Sequence, residues 1–296
     1  MKKLGRLLTA MVTPFKDNGE VDYEQARKLA LALLDSGSEG LIVVGTTGES
    51  PTLEWEENIR LFAEVKSAVG DRGTVVAGTG SNNTAEVLKA NKEAEKIGVD
   101  ACLLVVPYYN KPTQAGLYQH YKTIAENTSL PCIMYNVPSR TVTSLGADTV
   151  IRLSKIDNII GVKEASGNME QIAKIIEGTD DDFTVWSGND SDTFNIMALG
   201  GYGIISVIAH LVGRQIKEMI DSFVSGDVAG AAALHRKMLP LVDAMFIVSN
   251  PSPVKYALNH VGFRVGKPRL PLVEPDEKSI ATIIETLKNY TIDIKA

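Results

Sequence analysis

A lysine closes the apolar run Ile159-Ile160-Gly161-Val162-Lys163, and its surroundings decide what it can do. The β-branched lead-in has the character of a strand covered on both faces, as strands in parallel sheets are. If the strand simply ends there, the ammonium reaches water on its apolar stem. If the fold keeps it partly desolvated, the amine gives up its proton more readily and can attack a carbonyl carbon. Other strand-like runs end in equally polar groups. Gly45-Thr46-Thr47-Gly48-Glu49-Ser50 sets hydroxyls beside backbone amides ahead of a helix, an arrangement that cradles a carboxylate or merely caps a turn. Tyr135 lies in the preceding run, where its phenol could relay a proton to a lysine adduct if the two strands are neighbours, or fill the core. Arg140, just past Pro138, offers either a two-pronged grip on a carboxylate or an ordinary surface charge. Pro107-Tyr108-Tyr109-Asn110 and Ser187-Gly188-Asn189-Asp190 complete the set.

These groups share a position: each follows a short apolar run. Such runs begin at Leu7, Gly40, Thr74, Ala101, Cys132, Ile159, Phe183 and Gly203, and amphipathic segments separate them. In DYEQARKLALALLDSG, for example, Ala26, Leu29, Ala30, Leu33 and Leu34 form an apolar stripe, with Asp22 placed to cap the start and Gly37 the end. Eight strand–helix units predict an α/β fold, a closed (β/α)8 TIM barrel whose chemistry sits at the C-terminal ends of the strands. An open sheet would carry a dinucleotide fingerprint, and TPFKDNG after the first strand has none. The barrel is expected over residues 1–225. Beyond it, 226–296 is expected to be a C-terminal helical region in which Pro240 kinks or divides the first helix and residues 268–275 form a loop.

Composition narrows the partners. A formal net charge of −6, with no cluster of Lys and Arg, argues against nucleic acid. No segment approaches the roughly 18 unbroken apolar residues of a membrane span, and a cytoplasmic protein is expected. Cys102 and Cys132 fall in apolar runs and are expected as buried free thiols, and the four histidines have no metal-ligand spacing.

GTTGES, PYYNKPTQAGLYQH, YNVPSRT, GVKEASG and NPSPVKYAL, in this order and spacing, resemble the dihydrodipicolinate synthase family of pyruvate-dependent class I aldolases, which also includes N-acetylneuraminate lyase. The resemblance implies a Schiff base between Lys163 and pyruvate, a proton relay of Thr46, Tyr135 and a Tyr109 reaching in from a neighbouring subunit, and a homotetramer built as a dimer of dimers. It implies that Thr47 holds the pyruvate carboxylate, with the main chain of Ile205 facing the same pocket. Arg140, aided by Gly188 and Asn189, would fix L-aspartate 4-semialdehyde; many members have an aspartate where Asn189 stands. No metal or organic cofactor is implied. In members inhibited by L-lysine, positions matching Ser50, Asn82, Glu86 and Tyr108 line the inhibitor pocket, where Glu86 would pair with the ligand's amine. Trp55 and Asn58 stand where bacterial relatives often have histidines. A sister aldolase, an N-acetylneuraminate lyase or a 2-keto-3-deoxy sugar acid aldolase, would share Lys163, Tyr135 and the GTTGE loop. Arg140 and the Tyr108-Tyr109 pair favour the synthase. A non-catalytic binding protein on the same barrel is the reading from another class.

Overall fold

Strands buried on both faces cannot alternate polar and apolar residues, so they appear as short unbroken apolar runs. All eight expected runs are strands: β1 (Leu7–Ala10), β2 (Gly40–Val43), β3 (Thr74–Gly78), β4 (Ala101–Val105), β5 (Cys132–Asn136), β6 (Ile159–Glu164), β7 (Thr184–Ser187) and β8 (Gly203–Ser206). The structure, a computed structural model, describes residues 4–294. The strands follow one another from β1 to β8 as a closed parallel barrel. Within the chain, the described parts of Met1–Val75 and Ser206–Ala296 form one compact unit and Val76–Ile205 a second.

The helices start and stop where local chemistry dictates. Asp22 accepts the backbone N–H of Gln25 ahead of helix Tyr23–Asp35, which buries Ala26, Leu29, Ala30 and Leu33, and Gly37 follows its end with φ +105°. Asn83 and Asn168 cap helices Thr84–Ile97 and Met169–Gly178 in the same way, each such cap stabilising its helix by about 1 kcal/mol. After residue 225 come helices Val228–Met245, Ser252–His260 and Glu277–Leu287, with 268–275 irregular as expected. Of the two expected effects of Pro240, division does not occur: its helix runs on to Met245 with the proline inside it. Pro240 lies on the exposed side, where water can take up the carbonyl that proline leaves without a donor.

The register between β5 and β6 positions the lysine. Cys132 pairs with Ile159 but Ile133 pairs with Gly161, so Ile160 is an extra, unpaired residue in β6. This bulge advances β6 by one residue and brings Lys163 opposite Tyr135. Without it Val162 would stand there. Gly161 is what the bulge needs, because a Cβ at that position would lie 2.2 Å from the Thr184 carbonyl oxygen and 2.8 Å from the Trp186 ring. Cys102 and Cys132 pair in register between β4 and β5, both buried, and burial pushes the Cys102 thiol up to about 12. These are inert core thiols.

Candidate active site

Lys163 is 5% exposed, which rules out the reading in which its ammonium escapes to water. Its Nζ sits 4.4 Å from the centre of the Tyr135 ring and, among the described residues, forms no hydrogen bond. Burial lowers its pKa from 10.5 to about 8; the nearby Asp190 carboxylate pulls it back up and the Arg140 guanidinium pushes it further down. Three features therefore coincide on one amine: desolvation, no acceptor committed to the charged form, and an aromatic hydroxyl-bearing neighbour in register.

The strand tip around it is rigid. Glu164 turns to the other side of β6, where its buried carboxylate accepts Asn136 Nδ2, at 3.0 and 3.1 Å, and the Ser166 N–H at 2.8 Å. Gln171 Nε2 adds a bond at 3.3 Å, and burial still raises the pKa of this carboxyl. Asn136 Oδ1 in turn accepts the Leu145 N–H, and the Gly188 N–H donates to the Glu164 carbonyl. The segment that carries Arg140 and the turn that carries Gly188 and Asn189 are thus fastened to the strand bearing Lys163.

In the other unit, Thr46 and Thr47 occupy a turn flanked by two non-glycine residues with left-handed backbone, Val44 (φ 61°) and Glu49 (φ 58°). For β-branched Val44 this is a strained conformation, of a kind that costs about 1–3 kcal/mol and survives only where the surroundings impose it. Gly48 lets the turn close, since a Cβ there would crowd Val44 N at 3.1 Å and Met11 O at 3.2 Å. The Thr13 hydroxyl donates to the Gly48 carbonyl at 2.6 Å, and Asn250 Nδ2 donates to Thr47 Oγ1 at 2.9 Å.

The whole chain can be set beside known proteins on this basis. Residues 3–290 match the model of the dihydrodipicolinate synthetase family. The chain belongs to this family. It is 68% identical over 294 residues to the 4-hydroxy-tetrahydrodipicolinate synthase of Dehalococcoides mccartyi, covering 99% of either chain. Among solved structures, dihydrodipicolinate synthase from Bacillus anthracis superposes with a TM-score of 0.96 at 46% identity, covering 98% of this chain and 100% of that one. The Cyanidioschyzon merolae enzyme with lysine bound gives 0.95 at 44% identity, covering 97% and 98%. The chloride-inhibited Acinetobacter baumannii enzyme complexed with pyruvate gives 0.94 at 39%, covering 97% and 99%. The chain is accordingly a lyase of lysine and diaminopimelate biosynthesis, with 4-hydroxy-tetrahydrodipicolinate synthase activity rather than that of a sister aldolase.

Within this family member the remaining candidate residues fall as follows. Arg140 is exposed in the short helix Pro138–Thr141. Asn189 is engaged with Asp192 at 2.8 Å, and Ile205 is buried in β8. Tyr109 is 89% exposed and has φ 72°. Asn82 and Tyr108 meet, the Asn82 amide donating to the Tyr108 carbonyl at 3.1 Å, while the Glu86 carboxylate accepts Ser81 Oγ at 2.7 Å and Asn83 Nδ2 at 3.1 Å. Ser50 opens a 3-10 turn, exposed Trp55 starts helix Trp55–Val69, and Asn58 lies one turn on.

Sequence reasoning gave no role to Lys255. Its side chain is wholly buried, and its ammonium donates to Glu49 Oε1 at 2.8 Å, Thr13 O at 3.0 Å and Lys267 O at 3.1 Å. Burial lowers its pKa to about 8 while the Glu49 charge opposes the shift. Glu49 Oε2 accepts the Arg269 N–H, and the Arg269 guanidinium bonds both oxygens of Glu57 at 2.7 Å. The available signal was a lysine between Val254 and Ala257-Leu258, on the apolar side of its helix.

Proposed function

We propose that catalysis runs through a Schiff base at Lys163. The lysine amine adds to the ketone carbon of pyruvate and water leaves, giving an iminium ion. Loss of a methyl proton turns this into an enamine, whose carbon attacks the aldehyde of L-aspartate 4-semialdehyde. The amine of that substrate then displaces Lys163 by transimination, closing the ring and freeing the enzyme. Tyr135, Thr46 and Tyr109 relay the protons, Thr47 and the Ile205 main chain hold the pyruvate carboxylate, and Arg140 with Gly188 and Asn189 holds the semialdehyde.

The observation that carries this reading is the desolvated, hydrogen-bond-free Lys163 amine over the Tyr135 ring. The pyruvate complex of the Acinetobacter baumannii relative supports the first substrate. An exposed, conformationally strained Tyr109 supports a homotetramer, a dimer of dimers, in which this ring enters a neighbouring subunit. The lysine complex of the Cyanidioschyzon merolae relative supports L-lysine as feedback inhibitor at Ser50, Asn82, Glu86 and Tyr108, with Trp55 and Asn58 alongside. We place the enzyme in the cytoplasm, as a barrel over 1–225 followed by the helices of 226–296.

Turnover of pyruvate with L-aspartate 4-semialdehyde, followed through a coupled reductase, tests the cycle. Lys163→Ala should abolish turnover and the mass added by pyruvate plus borohydride while the fold survives. A Lys163→Ala protein that still turned over would overturn it.

A further inference from the structure

The NPSPVKYAL segment contacts the GTTGES turn at two points, and the first of them acts on a hydroxyl assigned to the substrate. Asn250 is 5% exposed and Thr47 3% exposed, and the bond between them, Asn250 Nδ2 to Thr47 Oγ1, is 2.9 Å. A threonine hydroxyl has one proton to give and lone pairs to receive with. An amide N–H on the oxygen occupies a lone pair and forbids the hydroxyl from donating back along the same line. Its proton is therefore directed away from Asn250, available to an acceptor in the site.

We propose that Asn250 is a positioning residue for pyruvate: it fixes the Thr47 hydroxyl as a donor toward the substrate carboxylate. The inference rests on the assignment of Thr47 as the carboxylate contact. Five residues on, Lys255 supplies the stiffness. Its ammonium ties Glu49, two residues beyond Thr47, to Thr13 O, and the Thr13 hydroxyl holds Gly48 O. The turn between Val44 and Glu49 is thus held from both sides, and Asn250 sets the direction of a single proton within it. The isosteric Asn250→Asp exposes that direction, because a carboxylate can only accept and would draw the Thr47 proton toward itself.

Steady-state kinetics on Asn250→Ala, Asn250→Asp, Thr47→Val and the Thr47→Val/Asn250→Ala double variant test the proposal, with thermal melts as a check on folding. Asn250→Ala should raise KM for pyruvate by about tenfold, the worth of one hydrogen bond to a charged group, with kcat and KM for the semialdehyde little changed. Asn250→Asp should raise KM for pyruvate further, and it serves as the second variant if the alanine protein does not fold. In the Thr47→Val background the Asn250→Ala effect should vanish, since the amide acts only through the hydroxyl. A tenfold effect that persists in that background, or a normal KM in Asn250→Asp, overturns the proposal. If Thr47→Val itself leaves KM for pyruvate unchanged, the carboxylate assignment of Thr47 has failed, and the role of Asn250 falls with it while Lys163 chemistry stands.

Discussion

The rate at which pyruvate adds to the enzyme should follow the ionisation of Lys163, with a midpoint near pH 8 rather than near 10.5. A displacement of that size corresponds to about 3 kcal/mol of preference for the neutral amine. At pH 7 roughly a tenth of the enzyme then holds a free amine, against roughly one molecule in three thousand for an ordinary lysine, a gain of about 300-fold in competent nucleophile. Below the midpoint the rate should climb about tenfold per pH unit, and above it level off. The same shift has a sign for stability. Between about pH 8 and 10.5 the unfolded chain binds the proton that the native site refuses, so the destabilisation from this lysine is full below pH 8 and is relieved as pH rises through that window.

Two substitutions separate the causes. Asp190 is buried and holds the ammonium form, so Asp190→Asn should move the midpoint to lower pH. Arg140 repels the ammonium, so Arg140→Ala should move it to higher pH, and by less because the guanidinium is exposed and screened. The assay mixes enzyme with pyruvate at fixed pH for a set time, quenches with borohydride and measures the adduct by intact mass. A wild-type midpoint near 10, or shifts of the same sign in the two variants, would refute desolvation as the device that activates Lys163.

Tyr135→Phe keeps the ring under Lys163 but removes the phenol, so the adduct should form with its midpoint unchanged while turnover falls about 10²–10⁴-fold; stopped-time trapping beside the coupled assay separates the two. Gly161→Ala drives a methyl into the Thr184 carbonyl at the bulge, and should cost about 1–3 kcal/mol in denaturant unfolding and slow adduct formation by moving Lys163 out of register. Lys255→Met strands the buried Glu49 carboxylate and should destabilise by about 3–5 kcal/mol, seen as a lowered Tm, with Glu49→Gln in the same chain restoring part of the loss.

The barrel was legible because every strand had to be apolar on both faces and every helix only on one, so the period changed at each boundary. The cap at Asp22 was legible for the same local reason: its side chain bonds only a few residues away. The bulge at Ile160 was not. In Ile159-Ile160-Gly161-Val162 a slip by one residue exchanges one β-branched side chain for another, and only Gly161 hints that another backbone comes close. Long-range polar partners were hidden too. Nothing near Glu49 in sequence points to Lys255 or Arg269, more than two hundred residues away, and the turn they hold looked like a turn that held itself.

The two buried lysines show why a pKa direction alone does not mark a nucleophile. Burial takes both Lys163 and Lys255 to about 8, and a search for depressed lysines would return both. Their partners differ. The Lys255 ammonium has three protons and three oxygen acceptors, one of them a carboxylate, so losing a proton breaks a bond and leaves the Glu49 charge unmatched. Lys163 faces a ring, loses no hydrogen bond on becoming neutral, and has its nearest carboxylate influence from Asp190 through space. Trapping the pyruvate adduct with borohydride, followed by peptide mapping, should therefore place the added mass on Lys163 and leave Lys255 unmodified even at pH 9, where burial alone would free both amines. Equal labelling would mean that desolvation, and not the absence of a committed acceptor, selects the reactive lysine.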